Sequence, residues 1–227
     1  KIEHAGMTYT DRMVTRLADE PPVPDIEPLG VTTLTALVAY ILANPDKVDD
    51  FVVHVESPTR VNVHTIAYGE KQVRQTWLIA NAIVPELMLS VDPDPDNAWW
   101  VPISNLAIHL RTCFQEDEAR TELVKFLGNW VETDSIAVSD DGVTQEVTVR
   151  SGLSLAKGGS APSLMDLTPI RTFEEVDQPK SPFVVRVRKG GTAALFTADG
   201  GTWRPEAIRS IGEYLREELG EGVLVLS

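Results

Sequence analysis

"SPFVVRVRKGGTAALFTADGGTW", residues 181–203, decides what kind of fold this chain adopts. It reads as two strands joined at Gly190-Gly191, because a glycine pair between two apolar runs supplies the backbone conformations that a tight hairpin needs. Pro205 follows at the start of a helical pattern, in a first turn where its missing N–H does no harm. Ile208, Ile211, Leu215 and Leu219 then fall on one helical face, Gly220 can end the helix, and "GVLVLS" (222–227) is a terminal strand. Strand, strand, helix, strand is an α+β layer.

The same reading extends towards the N-terminus. "SIAVSDDGVTQEVTVRSG" (135–152) places Asp141-Gly142 between two alternating runs, a strong hairpin signal, and "LAKGGSAPS" (155–163) is a flexible connection. "FVVHVESPTRVNVHTIAYG" (51–69) is a second hairpin around a Ser-Pro turn. Its apolar residues Phe51, Val53, Val55, Val61 and Val63 are all odd-numbered, so they share a face only if the loop is odd or the strands carry a bulge.

Helices are expected where apolar residues recur three and four apart. One begins at Thr32 or Thr33, buries Leu34, Leu37, Val38, Ile41 and Leu42, and stops at Asn44-Pro45; others are expected over about 70–82, from Ser104 through Phe114, and over 117–130. The fold class is α+β, with mixed helices and antiparallel hairpins. Residues 1–30, which include "DEPPVPDIEPLG" (19–30), show no sustained period and read as an extended proline-rich arm. Residues 31–227 form the α+β domain, with a place for subdivision near 131–160.

Charge and composition narrow the function. Twenty Lys and Arg against 34 Asp and Glu give a net charge of −14, which repels a phosphate backbone, so tight binding of duplex DNA is not expected. The densest basic run, Arg186, Arg188 and Lys189, lies in a strand and is too small to reverse this. A single cysteine, Cys113, excludes an internal disulfide framework and points to a reducing compartment. The longest apolar stretch, "LTALVAYILA" (34–43), is far short of a bilayer span, no secretory segment opens the chain at Lys1, and the expected location is the cytoplasm, with no membrane partner.

Few residues suggest chemistry. Asp92, Asp94 and Asp96 in "VDPDPDNAWW" (91–100) match the first three ligands of a calcium loop, but Asn97 and Ile103 stand where that loop needs glycine and glutamate. Pro93 and Pro95 are expected to turn successive carboxylates away from one another, leaving an acidic solvated loop. His54 and His64 are expected on one polar face of their hairpin, about 7 Å apart, with only Glu56 as a third ligand for a metal. His109 and Cys113, one helical turn apart, read as core packing. The chain lacks G-x-S-x-G, H-E-x-x-H, C-x-x-C and G-x-G-x-x-G, so no catalytic residue, cofactor or metal is expected. Adjacent tryptophans in extended chain point to opposite sides, so one of Trp99 and Trp100 belongs to the core and the other to an interface. Val23, Ile26 and Leu29 of the arm, at three-residue spacing, are the other expected contact residues.

"VSDDGVTQEVTVRSG" (138–152), "PIRTFEEVDQPKSPFVVRVR" (169–188), "ALFTADGGTWRPEAI" (194–208) and "FVVHVESPTRVNV" (51–63) resemble proteins of tailed phages and prophages of Gram-positive bacteria. More remotely, the order of elements resembles the YfdQ-like phage family. The resemblance covers about residues 30 to 220, leaves the arm outside, and carries no functional residues. It implies a phage or prophage product made in the cytoplasm of a bacterial host. The expected function is non-enzymatic self-association into a homo-oligomer such as a ring or shell, the partner being the chain itself. The alternative is an accessory factor of phage DNA replication or recombination, or an inhibitor of a host defence protein that captures a basic phage or host partner.

Overall fold

A computed structural model describes residues 2–4, 7–9, 27–44, 51–65, 75–92, 94–128, 136–140, 145–149, 164–188 and 190–227, and the structural statements below refer to these. Thirteen strands are assigned there: β1 (Ile2–His4), β2 (Met7–Tyr9), β3 (Leu29–Val31), β4 (Phe51–Ser57), β5 (Arg60–Thr65), β6 (Thr76–Asn81), β7 (Val101–Pro102), β8 (Ile136–Asp140), β9 (Gln145–Val149), β10 (Leu164–Leu167), β11 (Ser181–Arg188), β12 (Thr192–Thr197) and β13 (Leu224–Leu226). The helices are α1 (Leu34–Leu42), α2 (Ile103–Cys113), α3 (Glu118–Gly128) and α4 (Trp203–Leu219).

The strands form a five-stranded sheet in the order β13-β4-β5-β6-β3, a four-stranded sheet in the order β10-β11-β12-β7, and two separate hairpins, β1-β2 and β8-β9. The α+β class read from the sequence is the class observed. The 181–203 hairpin forms as expected, with Gly190 at φ 87° and Gly191 at φ 65°. The 135–152 hairpin also forms, β8 pairing with β9 from Ile136↔Val149 to Asp140↔Gln145, while its Asp141-Gly142 turn lies outside the described residues. The terminal strand leaves the sheet of β11 and β12: α4 carries the chain across, and β13 pairs in parallel with β4 of the larger sheet. The 51–65 hairpin reconciles its odd-numbered faces with a bulge between Val55 and Ser57, so that Val53 stands opposite Val63 and Val55 opposite Val61.

Residues 76–81 are strand β6, where the sequence reading expected a helix over 70–82. Leu78 and Ala80 are buried on the core face, a period of two, and β6 pairs with β5 on one side and β3 on the other. Two ladders of backbone bonds outweigh a helical preference that the short segment states weakly. Helix α1 starts as expected, with the Thr33 hydroxyl accepting from the Ala36 N–H at 3.2 Å, but Leu42 is exposed rather than buried. Ser104 lies within α2, which Pro102 precedes without a side-chain cap.

Each sheet buries its own apolar cluster among the described residues. Helices α1 and α4 cover the larger sheet, bringing Leu34, Leu37, Ile41, Val53, Val63, Leu78, Ile211 and Leu215 together. Helices α2 and α3 cover the smaller one, around Leu106, Leu110, Leu123, Leu127, Phe183, Val185 and Leu195. Gly212 lets α4 approach the β13 end of the larger sheet, since a Cβ there would lie 2.5 Å from Ser227 Cβ.

The connection from β10 to β11 joins the clusters. Leu167 and Phe183 belong to the smaller core, whereas Phe173, only 1% exposed, inserts into the larger one. The Thr172 hydroxyl donates to Pro58 O at 2.5 Å, and Gln178 Oε1 accepts from the Arg171 and Thr172 N–H groups at 2.8 and 3.1 Å. Arg171 is buried, donates to Pro179 O at 3.0 Å and to Ser181 Oγ, stands 4.0 Å from Asp199 Oδ2, and lies 4.1 Å from the centroid of the Trp203 ring. Burial brings its guanidinium down to about 10. Burial pushes the Asp199 carboxyl up, but the Ser181 hydroxyl, the Gly201 N–H and the Arg171 guanidinium outweigh it and hold the group below its ordinary 3.8.

Two outcomes follow from this pairing. Arg171→Met leaves a buried carboxylate without its cation and is expected to cost about 3–5 kcal/mol in urea unfolding. Asp199→Asn in that background should recover part of the loss; equal costs of Arg171→Met with and without Asp199→Asn would mean that the two side chains do not interact. Because the folded carboxyl is held low, its contribution is present above 3.8 and is lost as the pH falls through the folded value.

Candidate association surface

The segment from Ala82 to Trp100 crosses from the larger sheet to the smaller one. Its start is tied by the Ala82 N–H to Thr59 O at 2.9 Å, and its far end by Ser90, which donates to Leu195 O at 2.8 Å and accepts from Thr197 N–H at 3.0 Å. Ser90 thus bridges to Phe196, continuing the edge of β12 beyond its short pairing with β7. The Ser90 hydroxyl then accepts from the Trp99 N–H at 2.8 Å, which pins the neck of the loop between them.

Inside the loop, Asp92 Oδ1 accepts from the Asp94 N–H at 2.9 Å and Asp94 Oδ1 from the Asp96 N–H at 3.0 Å, leading into a short 3-10 turn at Pro95–Asn97. The Asn97 amide donates to Asp92 Oδ2 at 3.2 Å and Asp94 Oδ2 at 3.4 Å. These two carboxylates therefore converge on one amide, contrary to the expectation that they point apart. Side chains of aspartate bond readily to the backbone two residues on, and that local preference sets their direction. Among the described residues, no group of three or more His, Cys, Asp or Glu side chains is placed to hold a metal ion.

The two tryptophans differ in exposure, but neither belongs to an apolar core cluster, where the sequence reading expected one of them. Trp100 is half-buried: its Nε1–H donates to Pro95 O at 2.7 Å, its ring meets Phe196 edge-on at 6.3 Å, and the Arg188 guanidinium lies 3.9 Å from its centroid. Arg188 also donates to Pro95 O at 2.8 Å and pairs with Asp96 at 3.4 Å. Trp99 is 43% exposed, and Val91, next in the chain to Ser90, is 76% exposed. A large apolar surface is thereby presented on a backbone that is already fixed.

The remaining expected residues are scattered. Leu29, 46% exposed, begins the edge strand β3 rather than lying in a free arm, while Val23 and Ile26 lie outside the described residues. The His54 and His64 rings share the outer face of their hairpin with centroids 6.2 Å apart, and His64 Nδ1 is 3.1 Å from Thr76 Oγ1. His109 and Cys113 are buried in α2, where His109 Nε2 accepts from the Met88 N–H at 3.0 Å. Arg188 and Ser90, which stiffen the Trp99 loop, were not singled out as site residues; their contacts join segments remote in sequence, and no local pattern reports them. Among the described residues no helix is long and apolar enough to cross a membrane.

No family model, curated protein or solved structure matches this chain.

The two tryptophans should respond differently to truncation. Trp99→Ser is expected to change folding stability by less than about 0.5 kcal/mol, as for other exposed positions. Trp100→Ser should cost about 2 kcal/mol or more through lost packing and the lost cation–π contact. Equal losses, measured by urea unfolding at low protein concentration, would contradict this division.

Proposed function

We propose that the chain is a phage- or prophage-encoded, non-enzymatic protein that associates with copies of itself in the cytoplasm of its bacterial host, in a ring, shell or other closed homo-oligomer. The observation that carries this reading is Trp99, exposed while the Ser90 hydroxyl holds its backbone and Trp100 packs against Arg188 and Phe196. A rigid, partly exposed tryptophan loses little entropy when it is covered and is the residue type most often central to an interface. The short edge strands β3 and β13 supply further contact surface, with Leu29, Leu224 and Leu226 exposed. The proline-rich arm with Val23 and Ile26 precedes β3 in the sequence and would supply further apolar contacts.

A second reading has its own support. Asp92, Asp94 and Asp96 surround the same loop, and the net charge of −14 favours a basic partner over another copy of an acidic chain. On that reading the protein captures a basic phage or host protein, as an accessory factor of DNA replication or recombination or as an inhibitor of a defence protein.

Light scattering coupled to size-exclusion chromatography separates the two. Self-association predicts a discrete species larger than a monomer at micromolar concentration, reduced in mass by Trp99→Ser and by removal of residues 1–26, a truncation that spares β3. A full-length chain that is monomeric under these conditions would overturn it and favour the basic-partner reading.

A further inference from the structure

We infer that His109 is a proton-operated latch for the 82–90 segment, holding it to α2 when the imidazole is neutral and releasing it when the ring is protonated. A backbone N–H can only donate, so the 3.0 Å contact from Met88 N requires a lone pair on Nε2 and places the single ring proton on Nδ1. A second proton on Nε2 sets donor against donor. The Met88 N–H would then lose its acceptor, and a charge would stand on a buried ring against Phe114, which meets His109 edge-on at 5.8 Å.

The segment, rather than the helix, is the part free to yield. Helix α2 is fixed by buried Leu106, Leu110 and Cys113. Between the anchors at Ala82 and Ser90, the other backbone bond of the segment, Leu89 N–H to Leu87 O, is internal, so the His109 bond is its described backbone tie to another element. Leu87, Met88 and Leu89 rest on the core only half-buried.

Burial lowers the His109 pKa from 6.5, and no neighbouring charge contributes to that shift. The groups around it agree with this. On α2 Arg111 is exposed and Cys113, one turn on, is buried, and on the segment Glu86 is exposed; Glu118, Glu122 and Lys125 of α3 are exposed, and Arg120 is engaged with Glu116 and the Phe114 carbonyl. The folded value being low, the latch is closed above the ordinary histidine range and loosens as the pH falls below it. Since Ser90 ends this segment and holds Trp99, release would also loosen the Trp99 surface, a consequence that rests on the self-association proposed above.

Amide hydrogen exchange of the full chain, corrected for intrinsic rates, tests the latch without reference to assembly. Between about pH 7.5 and about pH 5, the Met88 amide should lose at least about tenfold in protection while the Val185 and Leu195 amides hold theirs. His109→Gln, whose side-chain oxygen can accept the same bond but does not titrate, should keep Met88 protected at both pH values. Unchanged Met88 protection in the wild-type chain, or an equal loss in His109→Gln, would overturn the inference. An assembly that persists at low pH while Met88 opens would instead contradict only the link to Trp99.

Discussion

Arg171 carries its charge where water scarcely reaches, and the rest of the structure is arranged around making that tolerable. Asp199 supplies the opposite charge, Ser181 and the Pro179 carbonyl supply acceptors, and the Trp203 ring covers one side. These partners come from four places: the connection after β10, the start of β11, the turn after β12, and the start of α4. Holding one guanidinium therefore ties these places together, although its Nε has no hydrogen-bond partner. Breaking any of these contacts leaves a desolvated polar group, which is why such a network resists partial opening.

That constraint explains how two sheets with separate apolar clusters hold together. Phe173 is delivered into the larger core by a segment whose neighbours on either side belong to the smaller one, and Gln178 and Thr172 satisfy the backbone of that excursion. The 82–90 segment starts another crossing with less support, the anchors at its ends and the bond to His109. Rigid and yielding connections thus coexist, and the yielding one leads to the exposed tryptophan.

What could be read from the sequence was what short-range physics decides. The Gly190-Gly191 and Asp141-Gly142 hairpins, the Thr33 cap, and the α4 face of Ile211, Leu215 and Leu219 all depend on residues a few positions apart. The bulge in the 51–65 hairpin and the shared face of His54 and His64 followed from parity alone. Strand β6 was misread because its identity comes from the ladders on either side, and β13 was placed correctly along the chain without any sign that it would join the other sheet. The stretch around Arg171, Thr172 and Gln178 looks like an ordinary polar loop; that it is buried follows only from partners far along the chain. At the loop of Asp92 and Asp94, side-chain bonding to the backbone overruled the geometry inferred from proline.

If the Arg171 network joins the cores, they should open together. Native-state hydrogen exchange at Val63 in the larger core and Val185 in the smaller measures this directly. The expected result is opening free energies that agree within about 1 kcal/mol and fall in parallel as denaturant is added. One core exchanging several kcal/mol more readily than the other, with its own denaturant dependence, would contradict the claim and leave the two sheets as independent folding units.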